Sequence, residues 1–365
     1  MSTAPPSLAV GGMSAASNGP SAPLPPPPPP SATLTFYVNA ARVELENPSP
    51  ELTLLAYLRS VGLTGTKLGC AEGGCGACTV LVSFYDEEAR RVKHTSVNAC
   101  LAPLCSLDGK HVITVEGIGT YDNPHPAQER IALMFGSQCG FCTPGIVMAL
   151  YALLRNNPSP TEGEIEDCFD GNLCRCTGYR PILDAAKTFA CDKRNAGCCG
   201  GNACGRMLPR EGKPSGLPTG CGEMDCCQTQ TDFCSQEENH AFPKPSQDVI
   251  FPPALLKYAQ SPKKFLEFTS RRCKWIRPNT IDELLEVKRR YPQAKLVAGN
   301  TEVGIEVKFR RLKYPVLIYV ADIAELCCRK ENGMYVSSNR APCRLWRKAQ
   351  ALDVAQTKEF ISELI

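Results

Sequence analysis

Cys70, Cys75 and Cys78 lie in the segment Gly69-Cys70-Ala71-Glu72-Gly73-Gly74-Cys75-Gly76-Ala77-Cys78, where glycine alternates with cysteine too densely for a helix or strand to continue. The Cys-x4-Cys-x2-Cys spacing, followed at a distance by Cys100, matches the plant-type [2Fe–2S] ligand set of three clustered thiolates and a remote fourth. An oxidised cluster on four thiolates carries net negative charge, so its loop must bring backbone N–H groups close to sulfur. Gly69, Gly73, Gly74 and Gly76 remove side chains that would block this approach and permit the positive φ of a tight loop. A structural zinc loop is the competing reading, but zinc sites pair their ligands as two knuckles without this density of glycine.

A second constellation is Cys139-x2-Cys142 with Cys174-x-Cys176 farther along. Its spacing alone leaves zinc and iron–sulfur both open. Cys142 directly precedes a helix-like run, whose N-terminal N–H groups would favour an anionic group. The chain holds 22 cysteines in 365 residues, below the roughly 8–10% of a small secreted disulfide scaffold. Cys105 and Cys168 read as small buried apolar residues. Cys191, Cys198, Cys199, Cys204, Cys221, Cys226, Cys227 and Cys234 crowd an aperiodic stretch and read as forming no defined site.

A net charge of +3 is too balanced for a chain whose main work is neutralising nucleic-acid phosphates. No run reaches the roughly 20 apolar residues that span a bilayer. Residues 1–41 carry no charged side chain and so lack both a secretory n-region and the arginines of a transit peptide, which places the chain in the cytoplasm or the peroxisome. Pro25 to Pro30 end a disordered tail over 1–32, read as a spacer rather than a ligand for an SH3-type groove.

Beyond the tail, residues 33–46 alternate around Asn39 as a hairpin, Leu52 to Leu58 suggest a short helix, and Thr79–Phe84 and His111–Glu116 read as strands. The pattern turns helical after Gly119: Gln128–Phe135, Gly145–Arg155, a run opened by the capping box Thr161/Glu164, and a run after Pro181. Residues 191–250 read as a linker. Periodicity returns with a helix over Ile281–Arg290, capped near Thr280, and a strand over Ala294–Ala298. That strand runs into Gly299-Asn300-Thr301-Glu302, a turn whose amides could approach a pyrophosphate.

Longer motifs carry a family resemblance. Gln138-Cys139-Gly140-Phe141-Cys142-Thr143-Pro144-Gly145 and Asn172-Leu173-Cys174-Arg175-Cys176-Thr177-Gly178-Tyr179-Arg180-Pro181-Ile182 resemble the second-cluster motifs of the molybdenum hydroxylases, the xanthine dehydrogenase and aldehyde oxidase family. The Gly69–Cys78 segment resembles their first-cluster loop, while Arg272–Pro278 and Ala294–Phe309 resemble the opening of their FAD-binding domain, nearer the xanthine dehydrogenase branch. The resemblance implies an α+β multidomain chain. Its parts would be a tail (1–32), a β-grasp plant-type [2Fe–2S] ferredoxin domain (33–119), a four-helix [2Fe–2S] domain (120–190), a Cys-rich linker (191–250), an incomplete FAD-binding domain (251–328) and a divergent tail (329–365).

It further implies that Cys70, Cys75, Cys78 and Cys100 hold one cluster and Cys139, Cys142, Cys174 and Cys176 the other, with Gln138 at a pterin-contacting position. FAD would lie against Leu296, Val297, Ala298, Gly299, Asn300, Thr301, Glu302 and Val303. In the parent enzyme hypoxanthine passes through xanthine to urate at a molybdopterin centre, and electrons cross the helical-domain cluster, the β-grasp cluster and FAD to NAD or oxygen. A molybdenum-cofactor domain or subunit is the implied partner, with a homodimer as the full-length assembly. Since the likeness fades at Cys327 and no molybdenum portion follows, the expectation is a fragment inactive by itself. An aldehyde oxidase-like fragment and a stand-alone two-cluster electron-transfer subunit are the alternatives.

Overall fold

A computed structural model of the chain describes residues 29–87, 89–190, 248–323 and 326. The expected tail up to 28, the linker from 191 to 247 with its eight cysteines, and Cys327, Cys328 and Cys343 lie outside the described residues.

The first unit is a five-stranded sheet in the order β2-β1-β5-β3-β4. Strands β1 (Thr33–Val38) and β2 (Ala41–Glu46) form the expected antiparallel hairpin. Asn39 makes its turn at φ 53, a conformation asparagine tolerates better than most residues. Helix α1 (Leu54–Ser60) begins where Thr53 Oγ1 accepts the Ala56 N–H at 3.3 Å, and it buries Leu54, Leu55 and Leu58. Strands β3 (Thr79–Asp86) and β4 (Arg91–Asn98) are antiparallel, and β5 (His111–Ile113) runs parallel to β1 between β1 and β3.

Two elements differ from the sequence reading. Strand β4 was not expected, because Val92 and Val97 are its only apolar residues and its place comes from β3 beside it and the helix packed across both. The strand expected through Glu116 ends at Ile113, and Val115–Ile118 forms one helical turn, α2. Side chains take over the backbone there: Asn39 Oδ1 accepts the Thr114 N–H at 2.9 Å, and Thr114 Oγ1 donates to Glu116 at 2.6 Å.

The helical unit comprises α3 (Pro126–Leu133), α4 (Thr143–Asn156), α5 (Glu162–Asp167) and α6 (Arg180–Lys187). The Thr161/Glu164 capping box closes in both directions, at 3.2 and 2.8 Å. Helix α4 is apolar from Ile146 to Ala152 because it lies across β3 and β4. Leu81 and Ile113 join that core from one face of the first sheet.

The third unit holds α7 (Pro253–Gln260), α8 (Ile281–Arg290, with Thr280 capping at 3.2 Å) and α9 (Val303–Lys308). Its four-stranded sheet has the order β6-β7-β9-β8, built from β6 (Leu266–Thr269), β7 (Lys274–Arg277), β8 (Lys295–Val297) and β9 (Val316–Tyr319). Ser31, placed by sequence in the tail, donates its N–H to Phe265 O at 2.9 Å and accepts from Glu267 at 3.1 Å. Phe268, Trp275, Val297 and Tyr319 share one core with Leu34, Phe36 and Leu101, so the first sheet is covered by the helical unit on one face and, with α1, by the third unit on the other. No helix among the described residues is long and apolar enough to cross a membrane.

Candidate metal centres and the flavin segment

The four thiols of the first set meet in pairs. Cys70 lies against Cys75 and Cys78 against Cys100, with Cys75 next nearest to Cys78. The Cys70 N–H points at Cys75 Sγ and the Glu72 N–H at Cys70 Sγ, each at 3.4 Å. Burial would raise the Cys70 thiol, yet the N–H groups of Glu72, Cys75 and Gly74 outweigh it and hold it below its ordinary value. Contact with Cys78, the Gly73 N–H and the Lys308 ammonium pull Cys100 down to about 6. Cys78 is raised by the same contact and by burial.

The loop geometry explains most of its glycines. A Cβ on Gly69 would stand 2.7 Å from Cys75 Sγ, and Gly73 and Gly76 adopt φ of 81 and 67. Gly74 differs from expectation, since a Cβ there meets nothing within 4 Å; its contribution is the N–H. Asn98, which sequence reasoning passed over, ties the loop down by donating to Gly73 O at 2.9 Å.

The second set repeats the arrangement. Cys142 contacts Cys174 and Cys176 contacts Cys139, and the two pairs are neighbours. Cys142 is the residue that caps α4, as its position before the helix implied. Burial, then the Cys174 contact, raises Cys142 to about 12, whereas the Thr177 hydroxyl and N–H hold Cys174 down against its own burial. Cys139, Cys176 and Gln138 are exposed.

This pairing tests the metal assignment. A tetrahedral zinc ion draws four ligands to one point, whereas a [2Fe–2S] cluster needs two thiolates at each of two irons. Each set supplies two adjacent thiol pairs, the arrangement that a [2Fe–2S] cluster would use. Every described cysteine is free, and Cys105 is fully buried, Cys168 partly so.

Asn172, Leu173 and Tyr179 join the two sets. The Leu173 N–H donates to Cys75 O at 2.9 Å, and Asn172 Nδ2 donates to Gly76 O at 3.0 Å and Thr79 Oγ1 at 3.2 Å. Tyr179, at φ 69, accepts from the Cys174 N–H at 2.9 Å and donates to Asn172 O at 3.1 Å. All three residues lie inside the motif quoted from the sequence, but only the fold shows what they hold.

In the flavin segment, Leu296 and Ala298 are half-buried, Val297 and Val303 buried, and Gly299, Thr301 and Glu302 exposed around Asn300 at φ 59. The turn therefore presents its backbone at the surface, as a phosphate-approaching turn requires. The Asn300 side chain is committed elsewhere, donating to Leu101 O at 2.7 Å.

Three domain families match the chain: a 2Fe-2S iron-sulfur cluster binding domain at 36–105, a [2Fe-2S] binding domain at 114–187, and the FAD binding domain in molybdopterin dehydrogenase at 267–338. Among curated relatives, a xanthine dehydrogenase of Emericella nidulans is 51% identical over 298 residues, covering 80% of this chain and 21% of the relative. A xanthine dehydrogenase/oxidase of Rattus norvegicus is 50% identical over 302 residues, covering 80% and 21%. Aldehyde oxidase 1 of Cavia porcellus is 50% identical over 305 residues, covering 83% and 22%. The chain thus spans about a fifth of the length of the relatives it matches.

Proposed function

This chain belongs to the molybdenum hydroxylases, the xanthine dehydrogenase and aldehyde oxidase family, and we propose from that premise that it is the one-electron relay and the opening of the flavin unit of a xanthine dehydrogenase-like oxidoreductase. Cys70, Cys75, Cys78 and Cys100 hold one [2Fe–2S] cluster and Cys139, Cys142, Cys174 and Cys176 the other. The observation that carries this reading is the two-by-two pairing of thiols in each set, with N–H groups aimed at sulfur. When bound, the clusters supply one-electron carriage, which no side chain here could provide. The protein's own part is to fix the two ligand sets against each other, and the Cys75 O to Leu173 N–H bond leaves one peptide unit between it and Cys174.

Leu296 to Val303 would hold FAD, the backbone of Gly299 to Glu302 offering amides to a pyrophosphate while Val297 and Val303 anchor the turn in the core. Gln138, Cys139 and Cys176 are exposed, and so are Leu133, Phe135, Phe141 and Leu173 of the same helical unit. Exposed apolar residues around a redox centre are suited to being covered. We assign that face to the molybdenum-cofactor domain or subunit, with Gln138 toward the pterin. In the whole enzyme hypoxanthine and xanthine are the reductants and NAD or oxygen the acceptor, in a homodimer. Cysteines committed as metal ligands rather than disulfides suit a reducing compartment, which we take to be the cytoplasm.

The test is iron and acid-labile sulfide analysis with EPR after dithionite reduction. About four iron and four sulfide per chain with two rhombic signals are expected from two clusters. Stoichiometric zinc without such signals would overturn the assignment.

A further inference from the structure

The third unit places a permanent positive charge on the first ligand loop. Lys308, the last residue of α9, donates from Nζ to Ala71 O at 3.3 Å and to Cys100 O. Ala71 follows Cys70 in the chain and Cys100 is the remote member of the ligand set, so one ammonium bridges the loop and its distant fourth cysteine. It cannot easily drift. Asn300 Nδ2 is bonded to Leu101 O at 2.7 Å, and a Cβ on Gly304 would lie 3.3 Å from Leu101 Cδ2, so α9 is pressed against the residue next to Cys100.

A charge so placed acts unequally on the two redox states. Taking up one electron without a proton changes four thiolates on [2Fe–2S] from a net charge of about −2 to about −3. A fixed cation interacts more strongly with the more negative form, and second-shell groups set metal-centre potentials in this way.

We propose that Lys308 is a positioning residue that raises the reduction potential of the centre held by Cys70, Cys75, Cys78 and Cys100, so that this potential depends on docking of the flavin unit. The proposal rests on the ligand assignment above. Among the described residues the Lys308 contacts are made to the first ligand set, at Ala71 O and Cys100 O.

The experiment is an EPR-monitored potentiometric titration of the reconstituted full chain, with dithionite as reductant and the first-centre signal identified as the one lost in Cys100→Ser. Lys308→Gln should shift that signal to more negative potential by roughly tenfold in the one-electron equilibrium, about 59 mV, and leave the other signal in place. Lys308→Glu should shift it about twice as far and Lys308→Arg hardly at all, a series that follows charge rather than packing. Because Lys308 is exposed, raising ionic strength should shrink the differences. If Gln and Arg variants have equal potentials, or if both signals move together, the proposal is wrong. Should Lys308→Glu lose its cluster, the Gln and Arg pair decides the matter. Iron, sulfide and the presence of two signals test the ligand assignment separately.

Discussion

Gly145, on the first turn of α4, lies so close to Gly76 that a Cβ on it would stand 2.2 Å from the Gly76 carbonyl oxygen. The first ligand loop and the helix that opens at Cys142 are therefore in backbone contact. Gly145→Ala must push them apart, and overpacking of this kind costs about 1–3 kcal/mol. Gly163, in α5, has nothing within 4 Å of its Cβ position, so Gly163→Ala should be neutral or stabilise by up to about 1 kcal/mol through helix propensity. Urea midpoints of the two variants should move in opposite directions. A Gly145→Ala midpoint at the wild-type value would mean that the two units are not packed as described.

Asp108 carries a second junction. Its carboxylate is fully buried, accepting from Arg277 and the Tyr258 hydroxyl at 2.9 and 2.8 Å and from the Thr35 N–H at 3.1 Å. Arg277 belongs to β7 and is nearly as buried, so the pair fastens the third unit to the first. Removing Asp108 leaves the buried Arg277 with only the longer pairing to Asp322 at 3.7 Å, a loss of up to about 3–5 kcal/mol, whereas replacing both by apolar groups recovers most of it. Asp108→Asn should lower the denaturation midpoint sharply and Asp108→Leu with Arg277→Met much less. Equal losses from the single and the double change would show that the ion pair is not the fastening.

How much of this the sequence disclosed follows the range of each interaction. The Thr161/Glu164 box and the Thr280 cap span three residues and were readable directly. The Cys70/Cys75/Cys78 and Cys139/Cys142 spacings are equally local, whereas Cys100 lies 22 positions beyond Cys78 and Cys174 lies 32 beyond Cys142, so those members rest on the family resemblance. Strand β4 was hidden because its polar residues take their place from β3, and α2 because Asn39 reaches Thr114 from 75 positions away. The Lys308 contact to Cys100 bridges 208 positions, and no periodicity announces such a pairing. Asn172 and Tyr179 stood in view within a recognised motif, but their task is defined by Gly76 and Cys174, which only the folded chain brings to them.

His125 should make stability fall in mild acid. Its Nδ1 accepts the Ala127 N–H at 3.1 Å to cap α3, while Nε2 faces Asp248 Oδ1 at 4.0 Å. Burial pushes its pKa down to about 4; Asp248 opposes the shift, and Arg155 and Arg130 reinforce it. Protonation would put a hydrogen on Nδ1 and break the cap. The unfolded chain titrates near 6.5 and binds more protons than the native state between there and about 4, so stability is full above that range and declines as pH falls through it. The slope from this residue is at most about 1.4 kcal/mol per pH unit. His125→Asn keeps a capping oxygen and removes the titration. Its anaerobic urea midpoint should therefore change less between pH 7.5 and pH 5.5 than the wild-type midpoint does. An unchanged difference would assign the acid sensitivity to other groups.

Ligand and bystander cysteines among the described residues differ in their neighbours rather than in their acidity. Burial raises Cys105 to about 12 and Cys142 to about 12, so acidity alone does not distinguish them. What distinguishes them is the neighbour: Cys142 contacts the Cys174 thiol, whereas Cys105 Sγ points at the carbonyls of Pro48 and Ser49 at 3.9 Å. Cys142→Ser should therefore abolish one rhombic EPR signal and lower bound iron by about half, and Cys78→Ser should abolish the other. Cys105→Ala should leave both signals and cost only the stability of a small buried side chain, about 1 kcal/mol. Because the Leu173 and Asn172 bonds join the sets through backbone and amide groups rather than through a shared thiol, neither cluster depends on the other for its ligands. Loss of both signals in Cys142→Ser would contradict that independence.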